Sequence, residues 1–150
     1  MDVVALVIWL GTAAGGLYLL AIWLIEYDRD FQTTKATRLP IPVIGTHALL
    51  AVAGLAVWSA YVLLDSDRLA WTAVAILGCV AALGVAMARR WFQSRRAATV
   101  GAPRGGPPRD APEPVPPERH FPLPVVIGHG VFAVVTIALV LLTALGVGSS

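Results

Sequence analysis

Apolar residues in this chain neither alternate nor recur on a single helical stripe; they fill long runs broken by short polar intervals. Crossing a hydrocarbon layer of about 30 Å takes roughly 20 helical residues, and four runs qualify: 3–25, 40–64, 69–88 and 121–147. None contains Asp, Glu, Lys or Arg. A helix satisfies its own backbone hydrogen bonds, as lipid demands of any spanning segment. The pattern predicts an all-α polytopic membrane protein, with 1–150 forming one membrane domain built as a bundle of four transmembrane helices. The first run is longer than the about 7–15 apolar residues of a signal peptide, and only Met1 and Asp2 precede it, so it is expected to persist in the mature protein.

The polar intervals set an orientation, because basic residues are retained on the cytoplasmic side. Arg29, Lys35 and Arg38 follow the first run; Arg89, Arg90, Arg95, Arg96, Arg104, Arg109 and Arg119 follow the third. The interval between the second and third runs has only Arg68, with Asp65 and Asp67. This places both termini outside the inner (plasma) membrane and loops 26–39 and 89–120 in the cytoplasm. Trp23, Tyr27, Trp71, Trp91 and Phe92 fall near predicted boundaries, as an interfacial belt would. Trp9 and Trp58 lie deeper and are expected to pack.

Composition agrees with lipid as the solvent. The 150 residues are 57% hydrophobic and 13% charged, against about 25% charged in soluble domains. A soluble chain of this length buries only about 68–70% of its surface, which would leave much of that apolar material in water. One cysteine excludes a disulfide scaffold, and a net charge of +2 gives no nucleic-acid footprint. The segment 95–120 holds seven of the eleven prolines together with Gly101, Gly105 and Gly106. Such a composition cannot bury a core and predicts a cytoplasmic linker rich in Pro, Gly and Arg.

The most informative pattern is a repeat. Leu39-Pro40-Ile41-Pro42-Val43-Ile44-Gly45-Thr46-His47 aligns without gaps to Phe121-Pro122-Leu123-Pro124-Val125-Val126-Ile127-Gly128-His129. The match continues through Ala51-Val52 with Ala133-Val134 and Ala56 with Ala138. The chain thus reads as two parallel helical-hairpin repeats, with the duplication carried by the second and fourth spans. The first and third match only as helices rich in small residues. Each Pro-x-Pro marks a helix start, where a missing N–H costs little. Seven residues further on, about 10 Å along the axis at 1.5 Å per residue, each repeat has a histidine.

An ionisable residue within a membrane span is a functional candidate, and His47 and His129 sit at one depth on helices of the same direction. Neutral imidazole is a natural axial ligand for haem iron, so the pair reads as the two axial ligands of one haem b. Ala51, Gly54, Ala133 and Thr136 leave room on the histidine faces. Arg38 and His120, equivalent positions just outside the spans, are candidates for the propionate side. The histidines and the four-span count resemble the b-type membrane cytochromes, including the cytochrome b561-like group. That resemblance implies a small electron-transfer module with a redox partner or larger membrane complex, rather than an enzyme acting alone. Covalent haem attachment is excluded because no C-x-x-C-H is present.

Two other readings stay open. In a non-enzymatic scaffold or accessory subunit, the histidines would only brace helices, each bonding a carbonyl or hydroxyl of a neighbouring helix, with Thr12, Thr72 or Thr136 as possible acceptors. In a quinone-binding or small-solute membrane protein, they would face another ligand. A bare metal ion would lack a full shell, since Cys79 stands alone on the third span. Gly11-x-x-x-Gly15 and Gly78-x-x-x-Ala82 permit close helix approach, either within the bundle or in a homodimer. Phosphate loops, nucleophile triads and paired intramembrane carboxylates are missing, which removes hydrolase, kinase and proton-coupled transporter readings.

Overall fold

The structure, a computed structural model, describes residues 1–26, 39–100 and 117–147. Within them the chain forms α1 (Asp2–Ile25), α2 (Ile41–Leu64), α3 (Asp67–Val100), a 3-10 turn (Pro117–His120) and α4 (Leu123–Ala144). Four helices are long and apolar enough to cross a membrane. Their exteriors are apolar as well, with Val7, Leu17, Leu49, Leu63, Val85 and Val134 all exposed.

Local chemistry fixes the helix ends. Pro40 and Pro122 cap α2 and α4 in near-identical extended geometry, with φ −63 and ψ 130 at one and φ −64 and ψ 123 at the other. Proline suits these positions because its fixed φ leads into the helix and its missing N–H would have no intrahelical partner. Asp65 ends α2 in the left-handed region at φ 48, a conformation that Asp tolerates better than most residues. The chain then reverses, and Ser66 carbonyl accepts from Leu69 and Ala70 to start α3. At the other end of the chain, Gly146 at φ 76 closes α4. Its N–H donates to Thr143 carbonyl and that of Val147 to Leu142 carbonyl, the paired bonds of a Schellman motif. This is why α4 stops at Ala144 although the apolar run reaches 147. Conversely, α3 runs on to Val100, past the 69–88 apolar stretch and into the segment read as linker. Positions 89–100 contain no Gly or Pro, and the first breakers are Gly101 and Pro103.

The helices pack as an up-down-up-down bundle in which α1 touches α2, α2 touches α3, α3 touches α4 and α4 touches α1. The pairs α1/α3 and α2/α4 are diagonal and make no such contact. One end, here the turn end, carries the start of α1 and the 65–66 turn; the other, the loop end, carries Glu26, Leu39 and the 3-10 turn.

Burial is layered. Toward the turn end, Ala5, Trp9, Trp58, Ala73, Leu77 and Val140 form the core. Trp58 is fully buried, its ring centre 6.5 Å from that of Trp9 and 4.7 Å from that of Tyr61, and its Nε1–H donates to Asp2 carbonyl at 3.2 Å. Gly54 lets the Trp9 indole lie against α2, since a Cβ there would come within 3.1 Å of both Trp9 and Ile76. A second layer at the loop end contains Trp23, Leu39, Trp91, Ser94 and Glu118. Trp23 and Trp91 therefore point inward, correcting their expected place in an interfacial belt; Trp71 and Phe92 do lie on the exterior.

The buried positions follow a constant spacing. Ala5, Trp9, Thr12 and Trp23 of α1 stand 68 positions before Ala73, Leu77, Val80 and Trp91 of α3, all of them buried. Gly54 and Trp58 of α2 stand 82 positions before Thr136 and Val140 of α4, also buried.

Substituting Gly54 by Val should overpack the Trp9 layer and destabilise the bundle by about 1–3 kcal/mol. The same change at Gly78, where an added Cβ meets nothing within 4 Å, should have little effect. Thermal unfolding of both variants in detergent measures the difference, and because the residue change is common to both, helix propensity cancels.

Candidate functional site

Between the two buried layers lies a level with a different character. From residue 13 to 22 of α1, 41 to 53 of α2, 81 to 90 of α3 and 123 to 135 of α4, no residue is fully buried. His47 and His129 occupy this level, both half-buried. They project from the diagonal helices α2 and α4, and their ring centres are 6.5 Å apart with an interplanar angle of 67°. The repeat's two histidines are thus brought together across the bundle.

Each ring is held by the neighbouring helix. His47 Nδ1 lies 3.0 Å from Val80 carbonyl of α3, and His129 Nδ1 lies 2.9 Å from Thr12 carbonyl of α1. A carbonyl only accepts, so both Nδ1 atoms carry the proton. In a neutral imidazole the lone pair is then on Nε2. Among the described residues neither Nε2 has a hydrogen-bond partner.

A helical carbonyl is normally screened by the side chain of the residue four positions on, whose N–H it accepts. Four residues after Thr12 is Gly16, and four after Val80 is Gly84. A Cβ at Gly16 would come within 3.0 Å of His129 Cε1, and one at Gly84 within 3.3 Å of His47 Cε1. Glycine thus bares the carbonyl and seats the ring at both places. Gly16 adjoins the G-x-x-x-G in sequence, but its part in seating a ring, like that of Gly84, is not read from that motif. Their signal was the 68-residue spacing that they share with Trp23 and Trp91, visible only once the partner helices are known.

Both imidazoles bond backbone carbonyls, and the threonine hydroxyls pair elsewhere. Thr12 and Thr136 hydroxyls are 3.0 Å apart between α1 and α4, and each also reaches a carbonyl of its own helix, Ile8 at 3.0 Å and Phe132 at 2.8 Å. With one hydrogen per hydroxyl, one threonine donates to its own helix and accepts from the other. Thr12 receives His129 through its carbonyl alone, while Thr72 donates to Arg68 carbonyl. Gly11 and Gly15 face Phe132 and His129 of α4, so the G-x-x-x-G serves packing inside the bundle. Cys79 is exposed on α3.

At the loop end, His120 Nδ1 stands 3.8 Å from Glu26 Oε2, with both side chains well exposed. Arg38, Asp28 and Asp30 lie outside the described residues. Among the described residues no three or more His, Cys, Asp or Glu side chains gather as a metal shell.

The chain matches no family model, no curated protein and no solved structure in the comparisons made.

Replacing Thr136 by Val removes the interhelical hydroxyl pair but leaves Thr12 its own carbonyl. The loss should be about 0.6 kcal/mol, the average for such bonds in membrane bundles, read as a small fall in the unfolding midpoint in detergent.

Proposed function

We propose that this chain is a multi-pass membrane protein in which His47 and His129 are the axial ligands of one haem b, making it a small electron-transfer module. The observation that carries the reading is the opposed pair of imidazoles, each with Nδ1–H bound to a carbonyl and Nε2 left as the donor atom. Ligating histidines characteristically spend their second nitrogen in this way, which fixes tautomer and ring orientation. The ring centres stand 6.5 Å apart, near enough for one bound group to be held by both rings.

The donor set favours a macrocycle over a bare ion. Two imidazoles are too few for a four- or six-coordinate site, whereas a porphyrin brings its own equatorial nitrogens and asks the protein only for axial ligands. Bound there, haem would supply one-electron chemistry. The chain's own part is to fix the tautomer and orientation of both imidazoles through the Val80 and Thr12 carbonyls, and to keep water out at the turn end with Trp9 and Trp58. Arg38 and His120 remain the proposed propionate-side residues, although His120 turns toward Glu26.

A duplicated hairpin supports this reading. The constant spacings of buried positions extend the correspondence from α2 and α4 to α1 and α3, and each imidazole bond has its counterpart in the other repeat. We assign the membrane orientation from the basic intervals, with both termini outside and 26–39 and 89–120 cytoplasmic, in contact with lipid along the helices and with a redox partner or membrane complex at a face still to be found.

A second reading has its own observation. The two imidazole bonds tie α2 to α3 and α4 to α1, which alone would suffice for a bracing role in an accessory subunit.

Purification in detergent from haem-supplied cells, followed by reduced-minus-oxidised visible spectra, separates the two. Haem ligation predicts a Soret band that is lost in His47→Ala and in His129→Ala. A colourless preparation, or pigment unchanged in both variants, would leave the bracing role standing. For orientation, a tag placed in the 101–116 segment should be reachable only after cells are opened; labelling of intact cells would reverse the assignment.

A further inference from the structure

The polar intervals of the chain carry side-chain charges of opposite sign. The intervals 26–39 and 89–120 hold ten Lys and Arg against six Asp and Glu, whereas Asp2 and the 65–68 interval bring three acids and one arginine. Ion pairs within 26–39 and 89–120 rearrange those charges but cannot cancel the excess of basic residues, whichever partner each arginine has. Part of that excess has a fixed place on α3. The helix leaves its apolar stretch at Ala88 and continues unbroken, and from Val85 to Val100 it has four arginines and no Asp or Glu. Arg89, Arg90, Arg95 and Arg96 are exposed, while Trp91 and Ser94 between them are buried, so these turns are packed on the bundle. Arg95 leans over the Trp91 ring at 5.0 Å. Arg89, Gln93 and Arg96 follow one another at helical spacing on the opposite, outward line, with Phe92 exposed beside them.

We propose that the outward face of α3 around Arg89 and Arg96 binds the headgroups of anionic phospholipids. The same face measures the membrane. Trp71, also exposed, stands five turns before Arg89 on that line, about 27 Å away at 1.5 Å per residue. A hydrocarbon layer of about 30 Å thus fits between an indole at one interface and a guanidinium at the other. Charge complementarity selects an anion, and height selects lipid over a soluble acidic partner, because Arg89 and Arg90 follow directly on the last residue of the apolar run, where headgroups stand. Helical side chains tilt toward the helix N-terminus, which leans Phe92 back toward the acyl chains. Four or more basic residues immediately beyond a span are the arrangement that attracts acidic lipid. The inference rests on the helices meeting lipid and not on haem.

The test sets two lipids in competition. Full-length protein is held in detergent micelles containing equal amounts of dioleoylphosphatidylglycerol and dioleoylphosphatidylcholine, and native mass spectrometry counts each lipid retained. The unaltered protein should prefer phosphatidylglycerol. Arg89→Gln and Arg96→Gln should each lower that preference by about fivefold; Arg89→Lys, which keeps the charge, should preserve it. Arg68→Gln, the same loss of charge at the turn end, should leave it unchanged. Raising the ammonium acetate about tenfold should erode the preference through screening, a measurement that needs no variant to fold. Equal retention of the two lipids by the unaltered protein would overturn the proposal, as would a preference unmoved by Arg89→Gln or lowered as much by Arg68→Gln. Displacement of phosphatidylglycerol by inorganic phosphate, beyond that by chloride at equal ionic strength, would assign the site to a soluble anion and overturn it too. A protein that retains neither lipid fails the membrane reading as well; one that retains both alike fails only this proposal, and pigment enters neither result.

Discussion

An imidazole N–H inside an apolar bundle has to find an acceptor, because the cost of leaving a polar group buried and unpaired is several times the net gain from pairing it. In a four-helix bundle almost every backbone carbonyl is already engaged and screened. His47 and His129 meet this constraint in the same way, by borrowing a carbonyl from a neighbouring helix at the one turn where glycine, four residues on, uncovers it. The requirement explains more than the rings. It ties α2 to α3 and α4 to α1 in register, and it leaves the lone pair of each ring on Nε2.

Much of this architecture was legible in the chain. Uninterrupted apolar runs located four helices, Pro-x-Pro located two of their starts, and the gapless match around His47 and His129 put two imidazoles at one depth. These signals are local, and local physics decides them. Features that depend on what a residue faces were not legible. Trp23 and Trp91 sit near predicted boundaries in sequence and had the look of belt residues, yet both are buried; hydropathy sees the position along the axis and not the angle around it. That each imidazole could bond a carbonyl or hydroxyl of a neighbouring helix was legible, but which carbonyl was not, because a bared carbonyl leaves no mark of its own in a sequence. The reach of α3 to Val100 was hidden for another reason: apolarity marks where a helix can meet lipid, while its end is set by breakers, and none comes before Gly101.

The two ends of the bundle are built on different principles. At the turn end, Asp65 reverses the chain within two residues, and a stack of Trp9, Trp58 and Tyr61 joins α1 to α2 with the help of a bond to Asp2 carbonyl. At the loop end, closure falls to short-range contacts around Trp91, with Ser94 hydroxyl donating to its carbonyl and the Arg95 guanidinium 5.0 Å above its ring. The level between these two ends is half-buried, in a bundle whose described helices carry many exposed apolar side chains.

The direction in which the imidazole bonds run has a consequence for how the molecule is put together. His47 belongs to the first pair of helices and takes its acceptor, Val80, from the second; His129 belongs to the second pair and takes Thr12 from the first. Neither pair satisfies its own histidine. Assembly of the two halves and creation of the site are therefore a single event, and each half acts as the template that tells the other when it has docked in register.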